Sequence, residues 1–296
     1  MLLALIEALR PKQWTKNLLV FAGVIFSLHL RDAGLLARAA GGFVAFSLLA
    51  GSVYLLNDLR DVEQDRLHPR KRNRPIASGR LPVEVAWGAL VPLVAAAALL
   101  SWRLGAGFAL TALVYVVINL AYSFGLKHLV LLDVFVIALG FVLRAIAGVQ
   151  LLVPVAPGTE ISPWLLVCTF FLALFLALGK RRRELANAGN GQAMRQRAVL
   201  DQYTPDLLDR LLVIAAAASL MSYALYTMWP ATVAKFHTEA LLYTVPFVAY
   251  GLFRYLWLIS VAESSEDPSQ VLLTDRPMGV NLLLYLTTVL VILYRA

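Results

Sequence analysis

Between Asn57 and Asp65 the chain reads Asn-Asp-Leu-Arg-Asp-Val-Glu-Gln-Asp, so Asp58, Asp61 and Asp65 lie three and four residues apart. If helical geometry continues through this run the three carboxylates share one face, and Asn57, four residues before Asp61, adds a neutral carbonyl oxygen to it. Carboxylates this close repel one another unless a cation neutralises them. Magnesium suits the set, because it takes oxygen ligands, keeps several waters and is usually shared between one or two carboxylates and a substrate's phosphates. The expected metal ligands are Asn57, Asp58, Asp61 and Asp65, the first three also forming the catalytic core, with a diphosphate as co-ligand. The competing reading is a solvated acidic turn paired with Arg60 and Arg66. It loses weight if the run ends a membrane helix, where ionisable groups are costly and usually functional.

The next stretch, Arg66 to Gly79, packs Arg70, Lys71, Arg72 and Arg74 into a short loop that would hold an anionic substrate or contact anionic lipid headgroups. Arg74 stands apart, because the Arg74-Pro75 step fixes where its guanidinium points. Lys16, Arg74, Lys127 and Lys180 are the candidates for holding phosphate groups. Of the four histidines only His68 lies in the motif loop, as a structural group or a sugar contact. His29, His128 and His237 fall near membrane boundaries, and no catalytic histidine stands out.

The elements that must position these groups are membrane helices. Of 296 residues, 60% are hydrophobic and only 15% charged, whereas roughly a quarter are charged in soluble domains. The formal charge of +8 is explained first by topology, so nucleic acid is not an expected partner. The single cysteine, Cys168, excludes a disulfide or a cysteine-built metal site within the chain. Met1 to Arg10 has a short apolar stretch interrupted by Glu7 and is not read as a removable signal.

Apolar segments of roughly 20 residues lie near 15–31, 38–57, 83–102, 106–123, 129–152, 163–180, 209–229, 239–261 and 279–295. The expected fold class is therefore all-α, a polytopic membrane protein of about nine transmembrane helices. With the N-terminus in the cytoplasm, most of the 26 Lys and Arg residues fall on the inside. The opposite side holds Arg31, Arg38, Arg103, Lys235 and Arg295, a bias that sets orientation. Two long inside loops, 59–82 and 181–208, are the expected cytoplasmic active-site loops, in a single domain over 1–296. Asp133, Arg144 and Arg254 are the ionisable groups within or beside spans. They are expected to face a cavity or to form internal ion pairs, with Asp275-Arg276 as a potential member of such a network. Asp133 lies close in sequence to Lys127 and is placed with the substrate-binding candidates. Small-residue stretches such as Gly41-Gly42 and Ala215 to Ala218 permit close helix contacts, within the chain or in a homo-oligomer.

The run from Asn57 to Gly79 resembles the first motif of the UbiA-type prenyltransferase superfamily, Asn-Asp-x-x-Asp-x-x-x-Asp followed by a basic loop and Arg-Pro. The similarity extends to Arg10-Pro11-Lys12-Gln13-Trp14-Thr15-Lys16-Asn17, to Tyr122-Ser123 through Lys127, and to the helix layout. The resemblance implies a UbiA-like bundle around a central cavity open to the cytoplasm and to lipid, with magnesium holding a diphosphate that leaves. It also brings Tyr122 into the substrate-binding set. Most members carry a second acidic motif after helix six. Here the chain reads Gly179-Lys180-Arg181-Arg182-Arg183-Glu184, so Lys180 and Arg181 are expected to bind a phosphate directly.

That departure is similar to the polyprenyl-phosphate phosphoribosyltransferase branch. The branch implies 5-phosphoribosyl 1-diphosphate as donor, a polyprenyl phosphate (decaprenyl phosphate in the leading reading) as acceptor, and a product used for arabinose-containing cell-envelope polymers. The implied setting is the plasma membrane, with the site facing the cytoplasm. The alternative is a prenyl diphosphate donor with an aromatic acceptor, as in quinone or haem synthesis; it accounts for the first motif but not for the cations after helix six. A transporter would leave the acidic run and the basic loop without a task.

Overall fold

The computed structural model describes residues 1–69, 71–156, 158–188, 199–261 and 274–295. Arg70 and the 189–198 part of the expected second loop lie outside the described residues. Among the described residues the secondary structure is helical, and eight helices are long and apolar enough to cross a membrane. In chain order the helices are α1 (Leu2–Ala8), α2 (Ala22–Phe26), α3 (Ala33–Arg60), α4 (Val62–Leu67), α5 (Val83–Leu104), α6 (Ala106–Phe124), α7 (Leu132–Gln150), α8 (Pro163–Ala188), α9 (Pro205–Met228), α10 (Pro230–Phe236), α11 (Val245–Val261) and α12 (Arg276–Arg295).

The first expected span, 15–31, is built differently from the rest. Pro11–Phe21 is a 3-10 helix that passes into the short α2. The pair is not one α-helix and is not among the eight helices long and apolar enough to cross a membrane. Helix α3 starts earlier than its apolar pattern because Asp32 caps it, its side chain accepting from the Gly34 and Leu35 amides. Thr204 caps α9 in the same way, and Pro205 occupies its first turn. Helix α8 continues past 180 to Ala188, so the start of the expected 181–208 loop is helical.

The chain forms two compact units, Met1–Phe124 with Leu143–Ile161, and Gly125–Val142 with Ser162–Ala296; the division falls within α7. In the first unit Val20, Val24, Phe46, Phe108, Tyr115, Leu151 and Leu152 form an apolar core. Gly23 and Gly148 let backbones touch there: a Cβ on Gly23 would lie 2.2 Å from the Gly148 carbonyl oxygen, and one on Gly148 the same distance from that of Val20. A smaller cluster packs Ala4 and Ala8 of α1 on Leu55, Leu59, Ile76, Leu81 and Ala86. Arg80 reinforces it with two bonds to the Glu7 carboxylate, at 2.6 and 2.9 Å.

In the second unit Val134, Phe175, Leu208, Leu212, Leu252, Tyr255 and Met278 make the core. Arg254 and Asp275 form a two-pronged ion pair, with Nη2 to Oδ2 at 2.9 Å and Nε to Oδ1 at 3.2 Å. The expected network beside Asp275 is therefore an internal pair.

Candidate active site

Helical hydrogen bonding carries through the acidic run. The Asp61 amide donates to the Asn57 carbonyl at 2.9 Å and the Asp65 amide to that of Asp61 at 2.8 Å. The helix nevertheless breaks at Asp61, whose ψ of 13° separates α3 from α4. Asp58 and Asp65 point into the first unit, each with 2% of its surface exposed, while Asp61 is half-buried and accepts from Arg60 Nε at 3.3 Å. Arg60 also donates to the Ser123 carbonyl at 3.1 Å and stacks over Phe124. The motif is thereby tied to the end of α6, one residue beyond Tyr122.

Two guanidiniums meet the buried carboxylates. Arg74 Nη1 donates to Asp58 Oδ1 at 3.0 Å and to Asp65 Oδ2 at 2.6 Å, and Arg10 Nη2 donates to the same Asp58 oxygen at 2.6 Å. Lys71 Nζ stands 4.0 Å from Asp65. The loop fixes Arg74 through the buried Pro75 and Ile76 behind it, a 3-10 turn over Lys71–Asn73, and the His68 ring, whose Nδ1 accepts from the Lys71 amide. His68 therefore has a structural task.

Arg10 was not a candidate by sequence, although an Arg-Pro step like that of Arg74 announces it. Its backbone lies in the left-handed region at φ 54° directly before Pro11, a position that proline steers toward extended geometry. A few residues on, Asn17 is buried and accepts from Arg144 Nε at 2.7 Å while its amide donates to Ser47 at 3.0 Å. Arg144 also donates to the Tyr115 hydroxyl at 2.8 Å. These bonds anchor the segment that carries Lys16, which is half-buried.

Among the described residues no group of three or more His, Cys, Asp or Glu side chains is gathered to hold a metal. The donors are nonetheless hard oxygens, and Asp58 and Asp65 converge on one cationic nitrogen. Oxygen donors of this kind are what a divalent ion such as magnesium takes, and here a guanidinium stands between them.

In the second unit Asp133 and Arg181 are both wholly buried. Arg181 Nε donates to Asp133 Oδ2 and its Nη1 to Glu184 at 2.6 Å. The Tyr203 hydroxyl donates to Asp133 Oδ1 at 2.7 Å and accepts from the Leu131 amide at 2.8 Å. Burial and the neighbouring Asp133 raise the Tyr203 phenol well above its ordinary range, so it stays a donor. Nothing in the local sequence marked Tyr203. Arg181 is engaged by Asp133 and Glu184, Arg182 pairs with Asp209 at 2.7 Å, and Lys180 and Lys127 are half-buried.

The model of the UbiA prenyltransferase family matches residues 18–274. The decaprenyl-phosphate phosphoribosyltransferase of Mycolicibacterium smegmatis is 36% identical over 295 residues, covering 96% of this chain and 91% of that protein. The enzyme of the same name from Corynebacterium glutamicum is 38% identical over 299 residues, covering 98% and 86%. Among solved structures, a UbiA homolog from Archaeoglobus fulgidus bound to GPP and Mg2+ matches with a TM-score of 0.73 and 21% identity, covering 98% of this chain and 99% of that one. At that identity the likeness concerns the fold.

Proposed function

We propose, from the premise that this chain belongs to the UbiA prenyltransferase family, that it transfers the 5-phosphoribosyl group of 5-phosphoribosyl 1-diphosphate to a polyprenyl phosphate, decaprenyl phosphate foremost, and releases diphosphate. The observation that carries this reading is near-full-length similarity to two enzymes named for decaprenyl-phosphate phosphoribosyl transfer. It agrees with Lys180, Arg181, Arg182 and Arg183 standing where a second acidic motif would serve a prenyl diphosphate. The setting proposed is the plasma membrane, with the site toward the cytoplasm and the product feeding cell-envelope arabinan synthesis.

Asp58, Asp61 and Asp65, with the Asn57 carbonyl, are the residues that would hold magnesium, which would supply a Lewis acid for the negative charge that develops on the departing diphosphate. Arg74 lies beside these carboxylates and binds diphosphate oxygens. Lys16, Lys127 and Lys180 supply positive charge for the 5-phosphate and the lipid phosphate, and Tyr122 borders the donor. Asp133 and Arg181 complete the set by fixing the turn of α8 that bears Lys180. The lipid phosphate is already anionic near neutral pH and attacks C1 of the ribose as the C1 to oxygen bond breaks, so no side chain has to remove a proton.

The test supplies purified protein in detergent or lipid with labelled phosphoribosyl diphosphate, a polyprenyl phosphate and magnesium, and measures lipid-extractable label. Labelled lipid is expected, with Asp58→Ala and Asp61→Ala each losing at least a hundredfold, in the range of a lost charge-stabilising group. Transfer from a prenyl diphosphate to an aromatic acid, with no labelled lipid, would overturn the reading. Full activity in either variant would remove the metal assignment.

A further inference from the structure

Arg74 Nη1 occupies the place between two buried carboxylates that a bridging cation would take, and Arg10 adds a second guanidinium to the same Asp58 oxygen. A buried carboxyl stays ionised only beside positive charge, whether or not a substrate is bound. The two arginines differ in how they are held. Arg74 is braced by buried Pro75 and Ile76. Arg10 reaches Asp58 from a left-handed backbone position directly before a proline, and its side chain is 30% exposed.

We propose that Arg10 and Arg74 form a guanidinium latch: they neutralise Asp58 and Asp65 while the site is empty and exchange partners when metal and diphosphate arrive together. This rests on the proposed assignment of Asp58 and Asp65 to the metal. In the exchange the carboxylates pass to the metal and the freed guanidiniums pass to diphosphate oxygens, which suit arginine forks. Metal alone must expel two cations that have no new anion to bind. Diphosphate alone meets guanidiniums whose charge is already matched by Asp58 and Asp65, through Nη2 of Arg10 and Nη1 of Arg74. The two ligands therefore bind with positive coupling, and a metal bound without its substrate is disfavoured.

The measurement is Mn2+ binding to the purified full chain in detergent, followed by electron paramagnetic resonance with and without inorganic pyrophosphate. Wild type is expected to bind Mn2+ about 5- to 150-fold tighter with pyrophosphate present, the usual span of coupled sites. Arg74→Gln and Arg10→Gln are expected to bind Mn2+ alone several-fold tighter than wild type and to gain less from pyrophosphate. Arg10 is partly exposed, so its variant serves if Arg74→Gln does not fold. Arg74→Lys, which keeps the charge, restores part of the coupling.

The latch is overturned if the folded Gln variants bind Mn2+ alone no tighter than wild type, or if Mn2+ and pyrophosphate bind wild type independently. Both results leave the metal assignment standing. Retention of Mn2+ by Asp58→Asn and Asp65→Asn would instead remove that assignment and the latch with it.

Discussion

Replacing Asp133 with Ala isolates the buried network of the second unit. The side chains of Asp133 and Arg181 are 0% and 1% exposed, so the variant leaves a guanidinium in a dry interior without its main counter-ion. Breaking such a pair from one side costs about 3–5 kcal/mol. Glu184 keeps its bond to Arg181 Nη1 and holds the Coulombic loss toward the lower end. Tyr203 also loses its acceptor, adding about 1 kcal/mol. The expected loss is about 3–4 kcal/mol, read from equilibrium unfolding in mixed SDS micelles. The Asp133→Leu/Arg181→Met double variant, which removes the buried pair from both sides and leaves half-buried Glu184 and the Tyr203 hydroxyl without these partners, should lose only about 1–2 kcal/mol. A loss below about 1 kcal/mol for Asp133→Ala, joined to a raised KM for the donor, would refute the reasoning and make Asp133 a substrate contact. So would a double variant as unstable as the single one.

Asn17→Leu should cost about 2–3 kcal/mol, because it removes the acceptor of buried Arg144 Nε; the same unfolding measurement checks it. Asp275 gives a pH signature. Its hydrogen bonds from Arg254, joined by the Met278 amide and the Arg254 charge, outweigh the opposing effect of burial and hold its carboxyl below the ordinary 3.8. Its contribution to stability is therefore complete above that value and is lost as pH falls through the lower folded-state value. Asp275→Asn should flatten the decline of thermal stability below about pH 4, and an unchanged acid limb would contradict the pairing.

Hydropathy located eight spans, because each is a helical apolar segment about as long as a bilayer core requires, one of them opening with a 3-10 turn at Ala240–Thr244. It could not see that Pro11–Phe21 winds as a 3-10 helix, since a window of composition reports no hydrogen-bond pattern. There the path is decided by Asn17, Val20 and Gly23 packing on distant residues. The spacing of Asp58, Asp61 and Asp65 was legible, and so was the special standing of Arg74. What spacing could not tell is that Asp58 and Asp65 would turn to a shared guanidinium while Asp61 turns to Arg60. Arg10 lies 48 residues from its partner Asp58, and no local pattern reports a contact of that range. Likewise Asp133, Arg144 and Arg254 were recognisable as costly, but their partners Arg181, Asn17 and Asp275 are fixed only by tertiary packing.

The contact of Gly23 and Gly148 bears on how finely the site can be tuned. With main chain seated on main chain, no side chain remains to cushion the joint, and a single added methyl group would have to lever the whole segment outward. Arg10 and Lys16 ride on that segment, so a change made deep in the apolar interior would be felt as misaligned charges at the far end. The joint sets where the polar groups of that segment stand, and its tolerance is less than the width of one carbon atom.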